Sequence, residues 1–261
     1  MRRLAKPLVF LLGLGASLNC LAQSASPTVE ISGVVLAPGT YSLSEGARLH
    51  DASSSAQVRS DAWPLGAALL RQSAVEPQVR LKAGVLFDLR INHVHAVADE
   101  NPALEALVDR LIQAIEPLPV TGRVNAQLNP LQQLIPANDS LLEAGDRILY
   151  PHRPNHVTVI GAVEQDCKLA FVPAHQPVDY LKQCASSPVA DRDTVYVIQP
   201  DGTLHSKGVA HWNAEPANVA VGAMIYVPIR TNQLSAQTSD LNQELAEFMA
   251  TQYQLGGRFG E

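Results

Sequence analysis

Arg123 is the side chain whose setting most suggests chemistry. It ends the run Pro119-Val120-Thr121-Gly122-Arg123, directly after a helix-periodic stretch, at a point where two structural units must converge. A guanidinium there either grips a ligand carboxylate in a bidentate fork or closes an internal salt bridge. Tyr150, His152 and Arg153 fall in a Pro-rich linker and are placed to border the same cleft. Trp63 and Trp212 each read as core packing or as an aromatic platform for a ligand ring. The histidines are less suggestive. His93 and His95 sit near the end of a predicted helix, where i and i+2 side chains diverge. His152 and His156 have a zinc-like spacing, but Pro151 and Pro154 argue against a helix between them. His205 and His211 read as surface or capped residues in or after a strand. No metal site and no cofactor are expected. No catalytic set is legible, and neither a Gly-x-Ser-x-Gly elbow nor a Gly-x-Gly-x-x-Gly loop occurs.

The elements that must position these residues repeat themselves. Val29 to Val35 and Val157 to Val163 alternate as strands do, with Gly33 and Gly161 at the same place. Turn residues follow in each copy, then a second strand, Thr40 to Leu43 and Lys168 to Val172, then a short helical pattern. With Gly33 on Gly161, Asp51 falls on Asp179 without a gap. The ends also match: Gly145-Asp146-Arg147-Ile148-Leu149-Tyr150-Pro151 against Gly222-Ala223-Met224-Ile225-Tyr226-Val227-Pro228. Between start and end, each copy offers another strand–turn–strand. In the second it is Thr194 to Gln199, the turn Pro200-Asp201-Gly202 and Thr203 to Ala210. In the first it is Val120 to Gln127, a turn at Asn129-Pro130, and Leu131 to Ile135. Each copy is a small sheet packed on one helix, an α+β layout.

The first copy carries an insertion. Leu81, Val85 and Leu89 recur at helical spacing, and Pro102 suits the first turn of a second helix running through Leu104, Leu107, Leu111 and Ile115. Glu116-Pro117-Leu118-Pro119 ends it, so residues of about 76–118 form an antiparallel helical hairpin. After Pro228, Leu234, Leu241, Leu245, Phe248 and Leu255 form one stripe of an amphipathic helix, about four turns within 231–256. Asp240 with Gln243 is placed to cap its start and Gly256-Gly257 its end. That stripe packs on the protein's own sheet or hairpin, or meets a partner; its polar face lacks the Lys/Arg of a membrane-surface helix.

Met1 to Ala22 has the basic start, short apolar run and small-residue end of a secretory signal, cleaved after Ala22, with lipidation at Cys20 as the alternative. The apolar run is too short for a permanent membrane span, which needs about 20 residues, and no later stretch approaches it. The mature chain is therefore expected to be exported and to have no transmembrane segment. Export leaves Cys167 and Cys184 as a pair in an oxidising compartment, read as a disulfide in preference to free thiols or a metal site. The whole chain holds 19 Lys+Arg and 25 Asp+Glu. Removing Arg2, Arg3 and Lys6 with the leader leaves 16 basic residues and a net charge of 16 − 25 = −9. That excludes a general nucleic-acid binder and disfavours docking on anionic membrane. With aromatic residues at only 5%, a long sugar-stacking groove is not expected.

Val29-x-Ile-x-Gly-x-Val-x-x-Pro-Gly-x-Tyr41 and the closing Gly145-Asp146-x-Ile148 resemble the β-grasp modules of polysaccharide export proteins. The whole order of signal, module with hairpin, Pro119-Val-Thr-Gly-Arg123, second module and tail helix resembles the GfcC-like family of capsule polysaccharide secretion proteins. The resemblance covers nearly all of residues 27–256. It implies two β-grasp domains, 27–151 and 156–230, in a periplasmic protein that contacts polysaccharide, export-channel proteins or both; a monomer is expected. It also carries over a functional role to Arg123, with an acidic glycan's carboxylate as a natural ligand. Tyr150, Arg153 and Trp63 are the further ligand-binding candidates. The second copy departs from the pattern: it lacks Pro-Gly in its first turn and Asp in its closing motif, and carries the cysteines instead. The expected function is a non-enzymatic accessory in capsule or exopolysaccharide secretion. The alternative is a periplasmic polysaccharide-modifying enzyme with a cleft near Arg123.

Overall fold

A computed structural model describes residues 26–253; the leader, Cys20, Leu255 and Gly256-Gly257 lie outside the described residues. The chain folds as an α+β protein with two five-stranded sheets of identical connectivity. The first contains β1 (Thr28–Gly33), β2 (Gly39–Ser42), β3 (Ala68–Leu70), β4 (Arg123–Val124) and β5 (Arg147–Tyr150), in the order β2-β1-β5-β3-β4. The second contains β6 (His156–Gly161), β7 (Cys167–Ala170), β8 (Thr194–Ile198), β9 (Leu204–Gly208) and β10 (Met224–Val227), in the order β7-β6-β10-β8-β9. In each, only the pairing of the first strand with the closing strand is parallel. These are two β-grasp-like units.

The repeated residues have repeated jobs. Gly33 and Gly161 end the first strand of their units with φ of +90° and +97°. A Cβ there would lie 2.0 Å from the Tyr150 carbonyl oxygen and 2.4 Å from that of Val227, so only glycine fits. Asp51 and Asp179 each sit three residues into the unit's helix, α1 (Leu49–Ala56) and α4 (Pro177–Leu181). Each accepts the backbone N–H of the capping residue, Arg48 at 2.8 Å and Gln176 at 3.1 Å. In the Pro200-Asp201-Gly202 turn, Asp201 Oδ1 accepts from the Thr203 amide at 2.9 Å and its hydroxyl at 2.7 Å. Cys167 and Cys184 are joined by a disulfide that ties the edge strand β7 to the turn after α4.

The inserted hairpin is α2 (Val75–Ala98) and α3 (Pro102–Ile115), with Pro102 in the first turn and Asn101 Oδ1 accepting the Leu104 amide at 3.1 Å. It leaves the first unit between β3 and β4 and packs on the second. Val85, Leu89, Leu104, Leu107, Val108, Leu111 and Ile115 share one core with Val157, Val159, Ile225 and Tyr226 of the second sheet. The first sheet closes a separate core over α1 with Val29, Ile31, Leu49, Leu69, Ile148 and Tyr150. Arg110 of α3 fastens the hairpin to the second unit, donating to the Gly161 and Val163 carbonyls and pairing with Asp166 at 2.8 Å.

Three expectations need correction. Residues 131–135 are not a strand. Gln132 and Gln133 both donate to the Asn129 carbonyl, which winds Gln132–Leu134 into a 3-10 turn that Pro136 then continues as another. The strand paired beside β5 is instead Ala68–Leu70, and Arg123–Val124 is its outer neighbour. The tail helix α5 (Leu241–Ala250) is shorter than four turns, because Thr231–Gln233 forms a separate 3-10 turn ahead of it. Asp240 makes no side-chain cap; its backbone is already helical, with φ −95° and ψ −2°.

The stripe itself behaves as its spacing requires: Leu241, Leu245 and Phe248 are fully buried against the second sheet and α2. Each such burial contributes roughly 1.5–3 kcal/mol. Asn242, on the expected polar side, is buried as well. Its Oδ1 accepts from Tyr226 Oη and the Ile229 amide, both at 2.9 Å, and its Nδ2 donates to the Ile229 carbonyl at 2.7 Å. No helix among the described residues is long and apolar enough to cross a membrane.

Candidate functional site

The segment Pro119–Arg123 builds a junction between the hairpin, both sheets and the tail. Gly122 turns the chain with φ +72°, and a Cβ there would meet the Arg71 carbonyl oxygen at 2.5 Å. The buried amide of Gln78 on α2 locks this turn, accepting from the Gly122 amide and donating to the Arg123 carbonyl, both at 2.8 Å. Thr121 Oγ1 accepts from the Arg123 amide at 3.0 Å and donates to the Thr251 carbonyl at 2.7 Å. The Pro119 carbonyl accepts from Gln252 Nε2 at 3.3 Å. The motif is thus a clamp on the C-terminal end of α5.

Arg123 completes the clamp. Its side chain is on the face of the first sheet that carries Ala68, Leu70 and Leu149, opposite α1, because β4 pairs Arg123 with Leu70. Only 6% of it is exposed. Nη1 donates to the Gln252 carbonyl at 3.0 Å; Nη2 donates to the Ala67 carbonyl at 3.3 Å and to the Pro200 carbonyl. One guanidinium therefore joins the first sheet, the β8–β9 turn and the tail. No carboxylate among the described residues pairs with it directly. Burial draws its pKa down to about 10, against the raising influence of Asp201, so it stays charged at neutral pH. No salt bridge closes on the guanidinium among the described residues, and three of its five N–H donors are spent on backbone.

The junction borders a cleft of ≈ 230 Å³ whose lining includes Arg123, Asp201, Gly202, Glu247 and Thr251. The other candidates are not brought to it. Tyr150 is fully buried in the α1-side core, its side chain on the opposite face of the sheet from Arg123, and burial raises its hydroxyl pKa. Arg153 and His152 are exposed in the linker. Trp63 is buried, its ring filling the space beside Gly66, where a Cβ would lie 2.0 Å away, and its amide donates to the Pro151 carbonyl at 2.9 Å. Trp212, by contrast, is 76% exposed. His93 faces Asp109 of α3 at 3.0 Å and His95 faces Asp99, just past the end of α2, at 3.6 Å, so the two histidines meet different carboxylates.

Sequence reasoning passed over the residue that explains the Gly145-Asp146 motif. Asp146 is buried, and Arg71 at the end of β3 grips it in a fork, Nε to Oδ1 at 2.9 Å and Nη2 to Oδ2 at 2.7 Å. Its Oδ2 also accepts the Glu143 amide at 2.8 Å. The lone Asp in the closing motif was the available signal; its partner, an arginine 75 residues away, was not. The second unit has Ala223 at this place and no such clamp.

Residues 26–154 match the model described as capsule biosynthesis GfcC, N-terminal, and residues 165–253 match that described as capsule biosynthesis GfcC C-terminal. The chain belongs to the GfcC-like capsule biosynthesis family. It is also similar to the uncharacterized protein YjbG of Escherichia coli (strain K12), 27% identical over 186 residues, which cover 71% of this chain and 74% of that protein. Membership points to a role in capsule or polysaccharide assembly. The disulfide is consistent with an exported protein.

Proposed function

We propose that this GfcC-like protein is a periplasmic, non-enzymatic accessory of capsule or exopolysaccharide secretion, contacting the glycan or the export machinery. The observation that carries this reading is the state of Arg123. A side chain that commits three donors to backbone carbonyls from three parts of the chain acts as a tie. It holds two β-grasp units in one fixed relation, as a contact surface spanning both units requires. The leader and the cysteine pair support a periplasmic address.

A second reading has one observation in its favour. Asp201 and Glu247 both line the cleft beside Arg123, and two carboxylates flanking a cleft are the equipment of a polysaccharide-cleaving enzyme. One experiment separates the two. The purified chain is incubated with the capsular polysaccharide of its own cell, and new reducing ends and released substituents are measured over time. Association without turnover is expected. Turnover that Asp201→Asn or Glu247→Gln abolishes would overturn the accessory reading.

A further inference from the structure

Two depressions lie side by side on the second sheet, between β9 and the returning segment of residues 214–220. The first, ≈ 400 Å³, lies over Val197 and is rimmed by Leu65 of the first unit. The second, ≈ 340 Å³, runs on to the first turn of α4. Pro216 is a wall of both. Lys207, which lines the first, reaches Glu215, which lines the second, at 3.2 Å, so an ion pair spans the boundary. Both volumes fall in the range of roughly 300–1,000 Å³ typical of ligand sites. Trp63 enters here indirectly: the Pro64–Gly66 turn packed on its ring is what presents Leu65 to the rim.

The chemistry of the two halves differs. In the first, Gln199 is spent, donating to the Asn218 carbonyl at 2.6 Å and accepting from the Ala220 amide at 3.2 Å. Asp201 Oδ2, the His205 ring and the Asn218 amide make no hydrogen bond among the described residues, and they surround an apolar floor of Val197 and Ala217. Hydroxyl groups on a ring with an apolar face fit such a site. In the second half Pro177, Val178, Val209 and Ala214 suit a methyl group, while the polar lining is Gln176, whose Oε1 accepts the Ala217 amide at 2.7 Å, and Glu215, paired with Lys207. Lys207 is the one lysine or arginine lining either half, and Glu215 neutralises it. The chain's acidic balance points the same way, against a polyanionic ligand.

We infer that this groove binds two adjoining units of an uncharged glycan, the first through its hydroxyls at Asp201, His205 and Asn218, the second through an acetamido or deoxy methyl group among Pro177, Val178 and Val209. The inference rests on the glycan-contacting reading above and gives it a place and a sugar class. Calorimetry on the purified chain with three trisaccharides tests it: triacetylchitotriose, cellotriose and trigalacturonate. The acetylated sugar is expected to bind about tenfold more tightly than cellotriose, the scale of one apolar group in a matched pocket. Trigalacturonate is expected to bind more weakly than either. The double variant His205→Ala/Asn218→Ala should weaken binding about tenfold or more, and Val209→Glu should erase the preference for the acetylated sugar. His205 and Asn218 are exposed, and far-ultraviolet circular dichroism confirms the fold of each variant. If trigalacturonate binds most tightly, or no trisaccharide binds the parent chain at millimolar concentration, the inference fails. If the parent binds and the variants bind equally well, the groove is wrong while glycan contact stands. If the chain copurifies only with export proteins and ignores every sugar, the glycan half of the functional reading falls with the groove.

Discussion

Replacing Arg123 with alanine removes three donors from buried carbonyls at once. Hydrogen bonds from a charged donor contribute roughly 1.5–3 kcal/mol each, but those of one side chain are not additive. Leaving those buried carbonyls without a donor costs about 3–5 kcal/mol, out of a total stability of roughly 5–15 kcal/mol. For a chain of this size that is a fall of about 10 °C in melting temperature. Arg123→Lys keeps the charge, yet a single ammonium cannot span the Gln252, Ala67 and Pro200 oxygens that lie on three different segments. It should recover less than half of the loss. Urea denaturation followed by circular dichroism gives the magnitude. Amide hydrogen exchange gives the location: protection should fall first from Phe248 to Gln252, where the clamp holds α5, and in the Pro200–Gly202 turn. An alanine variant within about 1 kcal/mol of the parent, with unchanged exchange at Thr251 and Gln252, would refute the reasoning and return Arg123 to a ligand-binding role.

The remaining predictions address other ties. Cys167→Ser/Cys184→Ser opens a loop of sequence separation 17 and should cost about 3 kcal/mol in the same urea assay; dithiothreitol should shift the parent chain to the same midpoint. Asn242→Ala strands the Tyr226 hydroxyl and both backbone groups of Ile229, a loss of about 2–4 kcal/mol, whereas a surface change such as Gln243→Ala should stay within about 0.5 kcal/mol. Burial and the neighbouring Asp240 raise the pKa of Asp88; burial and then Asp88, Asp240 and Glu247 raise that of Glu244. A carboxyl raised on folding stabilises the fold fully below its ordinary pKa and loses that contribution as pH rises through the raised value. Glu244→Gln should therefore stabilise the protein at pH 7 by a few tenths of a kcal/mol, given its exposure, and the gain should vanish near pH 4 in paired thermal melts.

The duplication was legible because glycine and the capping aspartate carry backbone requirements that sequence cannot hide. Gly33 and Gly161 must turn where a Cβ would strike a carbonyl, and Asp51 and Asp179 must close a helix start. The strand Ala68–Leu70 was not legible: three residues buried on both faces show no alternation. Leu131, Leu134 and Ile135 misled in the opposite direction, apolar yet exposed on a 3-10 turn. At the junction, the position of Arg123 could be read but its partners could not, since backbone carbonyls have no sequence signature. The amphipathic hairpin announced that it would bury a face, and nothing in its spacing said against which sheet. Trp63 and Trp212 looked alike in sequence, and only the fold separates the buried ring from the exposed one.

The route of that hairpin ties the two units together. Residues 75–115 are threaded between strands of one unit, yet they roof the hydrophobic interior of the other. A fragment beginning at the linker would present Val159, Ile225 and their neighbours to water without the hairpin residues that pack on them. A chain emerging N-terminus first would finish its opening strands while two long helices still waited for the surface they shelter. Two units of one connectivity thus share a roof that belongs, by chain order, to the first and, by packing, to the second.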